Sequence, residues 1–142
     1  MTTRMRLRDL RRMALLPLVA CALALGGCES EDTDTDISPT RFSLDRELLN
    51  YSDTDEFAWD TTLGQALVVV KIDDFTEGDT SLRVYDGKGV LVLAAALNTT
   101  DYVYFNGNDL YFQKQTAKGA PGQWKIVVGY NDFTGDIKIT ME

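Results

Sequence analysis

Residues 65–73, QALVVVKID, decide the fold of this chain, because apolar side chains recur along them with a period of two. One face of an extended strand would carry Ala66, Val68, Val70 and Ile72, and the other Leu67, Val69 and Lys71. A period of two is typical of a strand with one face in a core. The stretch therefore predicts a half-buried β-strand.

Further segments with strand-like patterns lie on both sides of this stretch. They are 57–61, 81–86, 89–97, 101–107, 109–114, 123–130 and 136–141. Tight hairpins are predicted at DGKG (86–89) and NGND (106–109), because Gly and Asn favour two-residue turns. Longer connections are predicted at TEGD (76–79), KGAPG (118–122) and NDFTGD (131–136).

No convincing helix is predicted after residue 40, although RELLNY (46–51) could form a single helical turn. Eight or nine short strands at even spacing predict an all-β fold. We expect an antiparallel, jelly-roll-like β-sandwich, with a barrel as the second choice.

The last third of the chain carries a G-x-W-x-I-x-V pattern at Gly122, Trp124, Ile126 and Val128. It resembles the closing strands of bacterial pre-peptidase C-terminal domains and related jelly-roll modules. The segment LRVYDGKGVLV (82–92) is similar to their middle hairpin. The resemblance implies an accessory or binding module that does not catalyse a reaction.

The N-terminus has the organisation of a secretory signal peptide. Five arginines lie between residues 4 and 12, and a short apolar run, Met13–Leu25, follows them. That run is shorter than the roughly 20 apolar residues that span a bilayer. Small residues then precede Cys28, as expected at a cleavage site.

The sequence Leu25-Gly26-Gly27-Cys28 resembles the lipobox of bacterial lipoproteins. The resemblance implies cleavage before Cys28, a diacylglyceryl group on its sulfur, and further acylation with a fatty acid such as palmitate. Two or three acyl chains anchor a protein stably. The alternatives are an ordinary signal peptide with a nearby cysteine, or dimerisation through Cys28.

The residue after Cys28 is Glu29, not the Asp that marks inner-membrane retention in the best-known lipoprotein sorting pattern. By that resemblance we expect a lipid-anchored protein of the cell envelope, in the outer membrane rather than the inner.

Cleavage would change the composition of the chain. The whole chain has 14 basic and 22 acidic side chains, and five arginines and Asp9 lie within residues 1–27. The chain that remains after cleavage would therefore have a net charge of −12. Such a chain does not suit nucleic acid or side-chain docking on an anionic bilayer. Cys21 would leave with the signal peptide, so no disulfide framework is expected.

The chain has no histidine. The commonest general base and Cys/His zinc sites are therefore excluded. Only carboxylate mechanisms stay open among the common hydrolytic ones, and we expect no enzyme.

Residues 29–40, ESEDTDTDISPT, are acidic and lack aromatic side chains, which predicts a disordered tether. Asp32, Asp34 and Asp36 alternate like the first ligands of an EF-hand, but Ile37 and Ser43 stand where Gly and Glu are needed. The predicted organisation is a signal peptide over 1–27, a lipidated Cys28 and tether over 28–40, and a β-sandwich over 41–142.

Two sets of side chains are candidate sites. Carboxylates in one predicted loop could surround a calcium ion, or simply be solvated: Asp73, Asp74, Glu77 and Asp79. Aromatic side chains could form a ligand platform: Trp59, Tyr102, Tyr104, Tyr111 and Trp124. Trp124 is in register with Ile126 and Val128, so we expect it in the core, which leaves the three tyrosines as the ligand-binding candidates.

The sequence thus predicts a non-catalytic module that binds a glycan or an envelope protein, anchored to a membrane through Cys28. The alternatives are a structural partner in an envelope complex and a carboxylate-based hydrolase.

Overall fold

A computed structural model describes residues 33–97 and 104–142, and in the second range the side chains from residue 107 onward. The regular elements within these ranges are all β-strands. They are β1 (Thr33–Ser38), β2 (Arg41–Tyr51), β3 (Thr54–Thr61), β4 (Leu67–Tyr85), β5 (Leu91–Ala96), β6 (Tyr104–Asn106), β7 (Asp109–Gln115) and β8 (Gly122–Met141). Every pairing is antiparallel. The predicted all-β, antiparallel class is confirmed.

Strands β4 and β8 organise the sheet, because they pair along nearly their whole length, from Val68 opposite Met141 to Tyr85 opposite Lys125. The register shifts between Asp73 and Asp79, and Asp74 and Asp132 have positive φ values, so we infer that both strands bend here. On one side of the bend the strand order is β1-β2-β8-β4-β7-β6. On the other side β3 pairs with β8 and β5 pairs with β4. We call these parts the wide half and the narrow half.

The inner faces of the two halves share one core. The ring of Phe42, in the wide half, lies 5.7 Å from that of Phe57 and 6.4 Å from that of Trp59, both in the narrow half. Trp59 packs edge-on against Trp124, with ring centroids 5.8 Å apart. The predicted half-burial of 66–72 and the predicted core position of Trp124 are confirmed by the burial of Ala66, Val68, Val70, Ile72, Trp124, Ile126 and Val128. Alternate residues of two further segments with strand-like patterns are also buried: Leu82, Val84, Ile137, Ile139 and Met141.

Both tight hairpins are confirmed. At 86–89 the Asp86 N–H donates to the Val90 carbonyl, and Gly89 has φ +76°, a conformation that glycine adopts without a Cβ penalty. At 106–109 Asn106 lies opposite Asp109.

Two of the longer predicted connections are wrong. Residues 76–79 and 131–136 lie inside β4 and β8, because the β4–β8 ladder resumes beyond each register shift. RELLNY (46–51) is also not helical and belongs to β2.

The predicted disorder of the tether is wrong for residues 33–38. They form β1 and pair with β2, from Thr33 opposite Arg46 to Ser38 opposite Arg41. The side chains of β1 are mostly exposed, so little apolar burial accompanies this pairing. Backbone hydrogen bonds at a sheet edge need no apolar side chains, which is why composition failed to predict the strand. The last residue of β1 is also held by a side chain, because the Trp59 indole N–H donates to the Ser38 carbonyl at 2.7 Å.

Candidate functional site

The four carboxylates predicted for calcium lie along the bend of β4, all exposed to solvent. Asp73 lies opposite Asp136, Glu77 opposite Thr134 and Asp79 opposite Asn131. They are therefore spread along an irregular part of β4 that pairs with β8 on both sides of the bend. No group of three or more Asp, Glu, His or Cys side chains within 33–97 and 107–142 is arranged to hold a metal ion. Calcium at these residues stays a prediction.

Three segments meet at this bend, and we call them together the bend end: residues 49–53, 73–79 and 131–136. The first and third are joined by hydrogen bonds from the Asn50 N–H to Thr134 Oγ1 at 2.8 Å and from the Asp132 N–H to Ser52 Oγ at 2.7 Å. The second pairs with the third in the β4–β8 ladder. The three segments carry seven carboxylates and no lysine or arginine. The bend end is thus a strongly acidic part of the surface.

The two bends are built alike. Asp74 and Asp132 have φ values of 51° and 49°, and each is followed by Phe and Thr. Aspartate tolerates this left-handed conformation better than most residues. The rings of Phe75 and Phe133 then lie 5.9 Å apart. The repeated Asp-Phe-Thr was the sequence signal that could have identified both bends.

Asp136 is the carboxylate most affected by this environment. Burial, together with the negative charges of Asp74, Asp73 and Asp45, raises its pKa above the ordinary value. It borders a groove of about 470 Å³ lined by Thr33, Asp34, Asp45, Glu47 and Asp136. We call this the acidic groove.

A second candidate surface crosses the outer face of the wide half. Asp45, Lys138, Lys71 and Tyr111 are register partners on β2, β8, β4 and β7, and we call them the lysine–tyrosine row. Both lysines are exposed and Tyr111 is half-buried. Lys138 Nζ donates to Asp45 Oδ2 at 2.7 Å, and the Tyr111 hydroxyl donates to Gln113 Oε1 at 2.7 Å.

The structure brings two of the predicted tyrosines together at the backbone level, since Tyr104 lies opposite Tyr111. Tyr102 lies outside the described residues. The other two aromatic candidates do not contribute, because Trp59 and Trp124 are fully buried. Sequence reasoning missed Lys71 and Lys138, because strand neighbours 67 positions apart cannot be read from a local pattern.

A third polar group that sequence reasoning missed is internal. Arg46 is buried on the inner face of β2 and forms an ion pair with Asp55 of β3. Its guanidinium carbon lies 4.8 Å from the ring centre of Tyr51 and 5.7 Å from that of Tyr130. Because Asp55 belongs to the narrow half, this group connects the two halves close to the bend.

The lipobox residues Leu25, Gly26, Gly27 and Cys28 lie outside the described residues, so their role stays a prediction. Among the residues that are described, no helix has the length and apolar character to cross a membrane. No known family model matches the chain, and no curated protein matches it.

Proposed function

We propose that the protein is a bacterial cell-envelope lipoprotein that binds a glycan or protein ligand and catalyses no reaction. Lipid on Cys28 would hold it to a membrane, the outer membrane rather than the inner. The domain would be a jelly-roll-like β-sandwich of eight or nine strands, which agrees with the two halves packed over one core. Its high negative charge argues against a nucleic-acid partner.

The lysine–tyrosine row is the observation that carries this proposal. It places a carboxylate, two ammonium groups and a phenol on successive strands of one outer face. Sheet neighbours lie about 4.8 Å apart, so the four positions extend over about 14 Å. That length suits two or three sugar rings or an extended peptide.

The chemistry of the row suits a glycan best. A tyrosine combines an apolar ring with a polar tip, and the lysines, Asp45 and Gln113 add hydrogen-bond donors and acceptors for hydroxyl groups. A ligand held this way would rest on a rigid sheet, so binding would need little ordering of the protein.

The test is binding of the membrane-purified full chain to polysaccharide fragments from its own envelope. The row variants are Lys138→Gln and Tyr111→Ala. The matched controls are Lys125→Gln and Tyr85→Ala, on the outer face of the narrow half, where the side-chain exposure of Lys125 is 51% against 50% for Lys138. We expect the row variants to weaken binding at least tenfold and the controls to leave it unchanged. Equal loss in both pairs would contradict the row as the site.

Two alternatives predict other results. An assembly partner would use a sheet edge such as that of β1, and would co-purify with another envelope protein in a way that row variants do not affect. A carboxylate hydrolase would use the acidic groove, where the raised pKa of Asp136 suits a general acid. It would shorten the glycan, and Asp136→Asn would abolish that shortening.

A further inference from the structure

The pairing of β1 shortens the tether that the lipid anchor would have. Thr33 is the first residue of β1 and lies five positions after Cys28. An extended chain spans at most about 3.5 Å per residue, so the start of the sheet lies within about 17 Å of the lipidated residue. A domain on so short a tether has a restricted orientation.

The tether joins the sheet beside the bend end. Thr33 lies opposite Arg46, and two positions further along β2, Leu48 lies opposite Gly135 in the bend of β8. The other end of β1 turns into β2 at 39–40, where the Pro39 carbonyl accepts the Thr62 N–H. That turn belongs to the opposite end of the domain.

We define that opposite end as the loop end, made of residues 39–40, 61–66, 86–90 and 116–121. These segments are joined by hydrogen bonds such as Gly119 N–H to the Gly64 carbonyl at 2.8 Å and Gly87 N–H to the Ala120 carbonyl at 3.0 Å. The half-strands of β4 between the two ends, residues 67–72 and 80–85, have six residues each, so the ends lie about 20 Å apart.

We infer that the lipidated protein stands with its bend end against the headgroup layer of its own membrane and its loop end pointing away. The inference rests on the proposed lipidation of Cys28. The acidic groove, which begins at Thr33, then faces the headgroups, while the hairpin at 86–90 is presented to the surroundings.

The tether, not adhesion, sets this orientation. The seven carboxylates of the bend end have no lysine or arginine among them, so anionic headgroups repel this end within a Debye length of about 8–10 Å. The covalent connection through β1 therefore keeps the bend end close to the headgroups, and a longer connection would let the bend end move away from them.

The chain offers a matched pair of labelling positions. Leu49, at the bend end, and Val90, at the loop end, are aliphatic side chains that are 63% and 57% exposed. In the mature protein Cys28 would carry lipid, so Leu49→Cys and Val90→Cys each supply a single reactive thiol for a fluorophore.

The full-length lipoprotein is reconstituted into phosphatidylcholine vesicles that contain a lipid with a spin label on its headgroup. We expect the fluorophore at position 49 to be quenched several-fold more strongly than that at position 90. Equal quenching, or stronger quenching at position 90, would overturn the inferred orientation.

Two further experiments test the short tether against adhesion of the bend end, and test the lipidation itself. A Gly/Ser segment of about a dozen residues, inserted between Ser30 and Glu31, is expected to remove most of the difference, because such a segment is flexible. A difference that persists unchanged would show adhesion of the bend end and overturn the tether mechanism. A reconstituted protein whose N-terminal peptide carries no lipid on Cys28 would instead contradict the proposed lipidation, whatever the labels report.

Discussion

The bend end and the loop end are both places where the chain changes direction, and they differ in how they use carboxylates. At the loop end, Asp86 accepts the backbone N–H groups of Lys88, Val90 and Ala120 at 2.7–2.9 Å, which lowers its pKa. At the bend end, seven carboxylates lie together without a basic residue. A carboxylate that accepts three backbone hydrogen bonds stabilises the fold, whereas carboxylates grouped without a basic residue repel one another and destabilise it.

The largest expected loss of stability comes from a glycine of the bend end, and a glycine of the loop end is its control. A Cβ on Gly78, whose φ is +90°, would overlap the backbone carbonyl of Asp132, whereas one on Gly89, at φ +76°, meets nothing within 4 Å. We expect Gly78→Ala to lower the free energy of unfolding by about 3 kcal/mol, and Gly89→Ala by about 1 kcal/mol. Urea titrations measure both. Equal losses would show that the bend does not depend on the close approach of β4 and β8.

The next effect concerns the ion pair behind the bend. Asp55→Ala would leave the buried Arg46 without its carboxylate partner, which costs about 3 kcal/mol. The double variant Arg46→Met, Asp55→Ala is expected to recover part of this loss, because the buried charge is gone. A double-mutant cycle from urea titrations gives the coupling, and a coupling near zero would contradict the role of the pair in joining the two halves.

At the loop end, Asp86→Ala removes the acceptor of three N–H groups and is expected to lower the urea midpoint clearly. Since the folded pKa of Asp86 lies below its unfolded value, its stabilisation is present above the unfolded pKa and is lost as the pH falls through the folded pKa. The loss caused by the variant should therefore be full at pH 7 and shrink in acid. Asp60→Ala, an exposed control, should change the midpoint little at either pH.

The smallest expected change in stability is at Asp136, and it has the opposite sign, because replacing this carboxylate should stabilise the fold. The folded pKa of Asp136 is raised by burial and by neighbouring carboxylates, so its contribution to stability is present below the unfolded pKa and is lost as the pH rises through the folded pKa. Asp136→Asn is thus expected to raise stability at pH 7 by less than about 1 kcal/mol and to have no such effect at pH 3. Destabilisation at pH 7 would show that the charge of Asp136 has a favourable partner.

The contrast between the two ends also shows what the sequence could predict. The hairpin at 86–89 was predictable because Asp-Gly and Lys-Gly fix a turn locally, and the inward faces were predictable because burial follows a period of two. The repeated Asp-Phe-Thr marks both bends, but the continuation of β4 and β8 through TEGD and NDFTGD was not predictable. These segments have the composition of turns, and their pairing depends on the partner strand.

The candidate surfaces were predictable only in part, for a related reason. Tyr111 was chosen from its own strand, but the neighbouring Lys71 and Lys138 depend on the pairing of β4 with β7 and β8. Arg46 was hidden because RELLNY resembles a helical turn, although β2 places this arginine on its inner face. Long-range pairing decides these positions, and no local pattern reports it.

We propose that lipid on Cys28 holds this domain beside a membrane, and the decisive measurement is the mass of the mature N-terminal peptide. The protein is purified from membranes of cells that express the full chain, digested and analysed by mass spectrometry. We expect a peptide that begins at Cys28 and carries a diacylglyceryl group, with a further acyl chain on its amine. A peptide that begins elsewhere, or an unmodified Cys28, would contradict it.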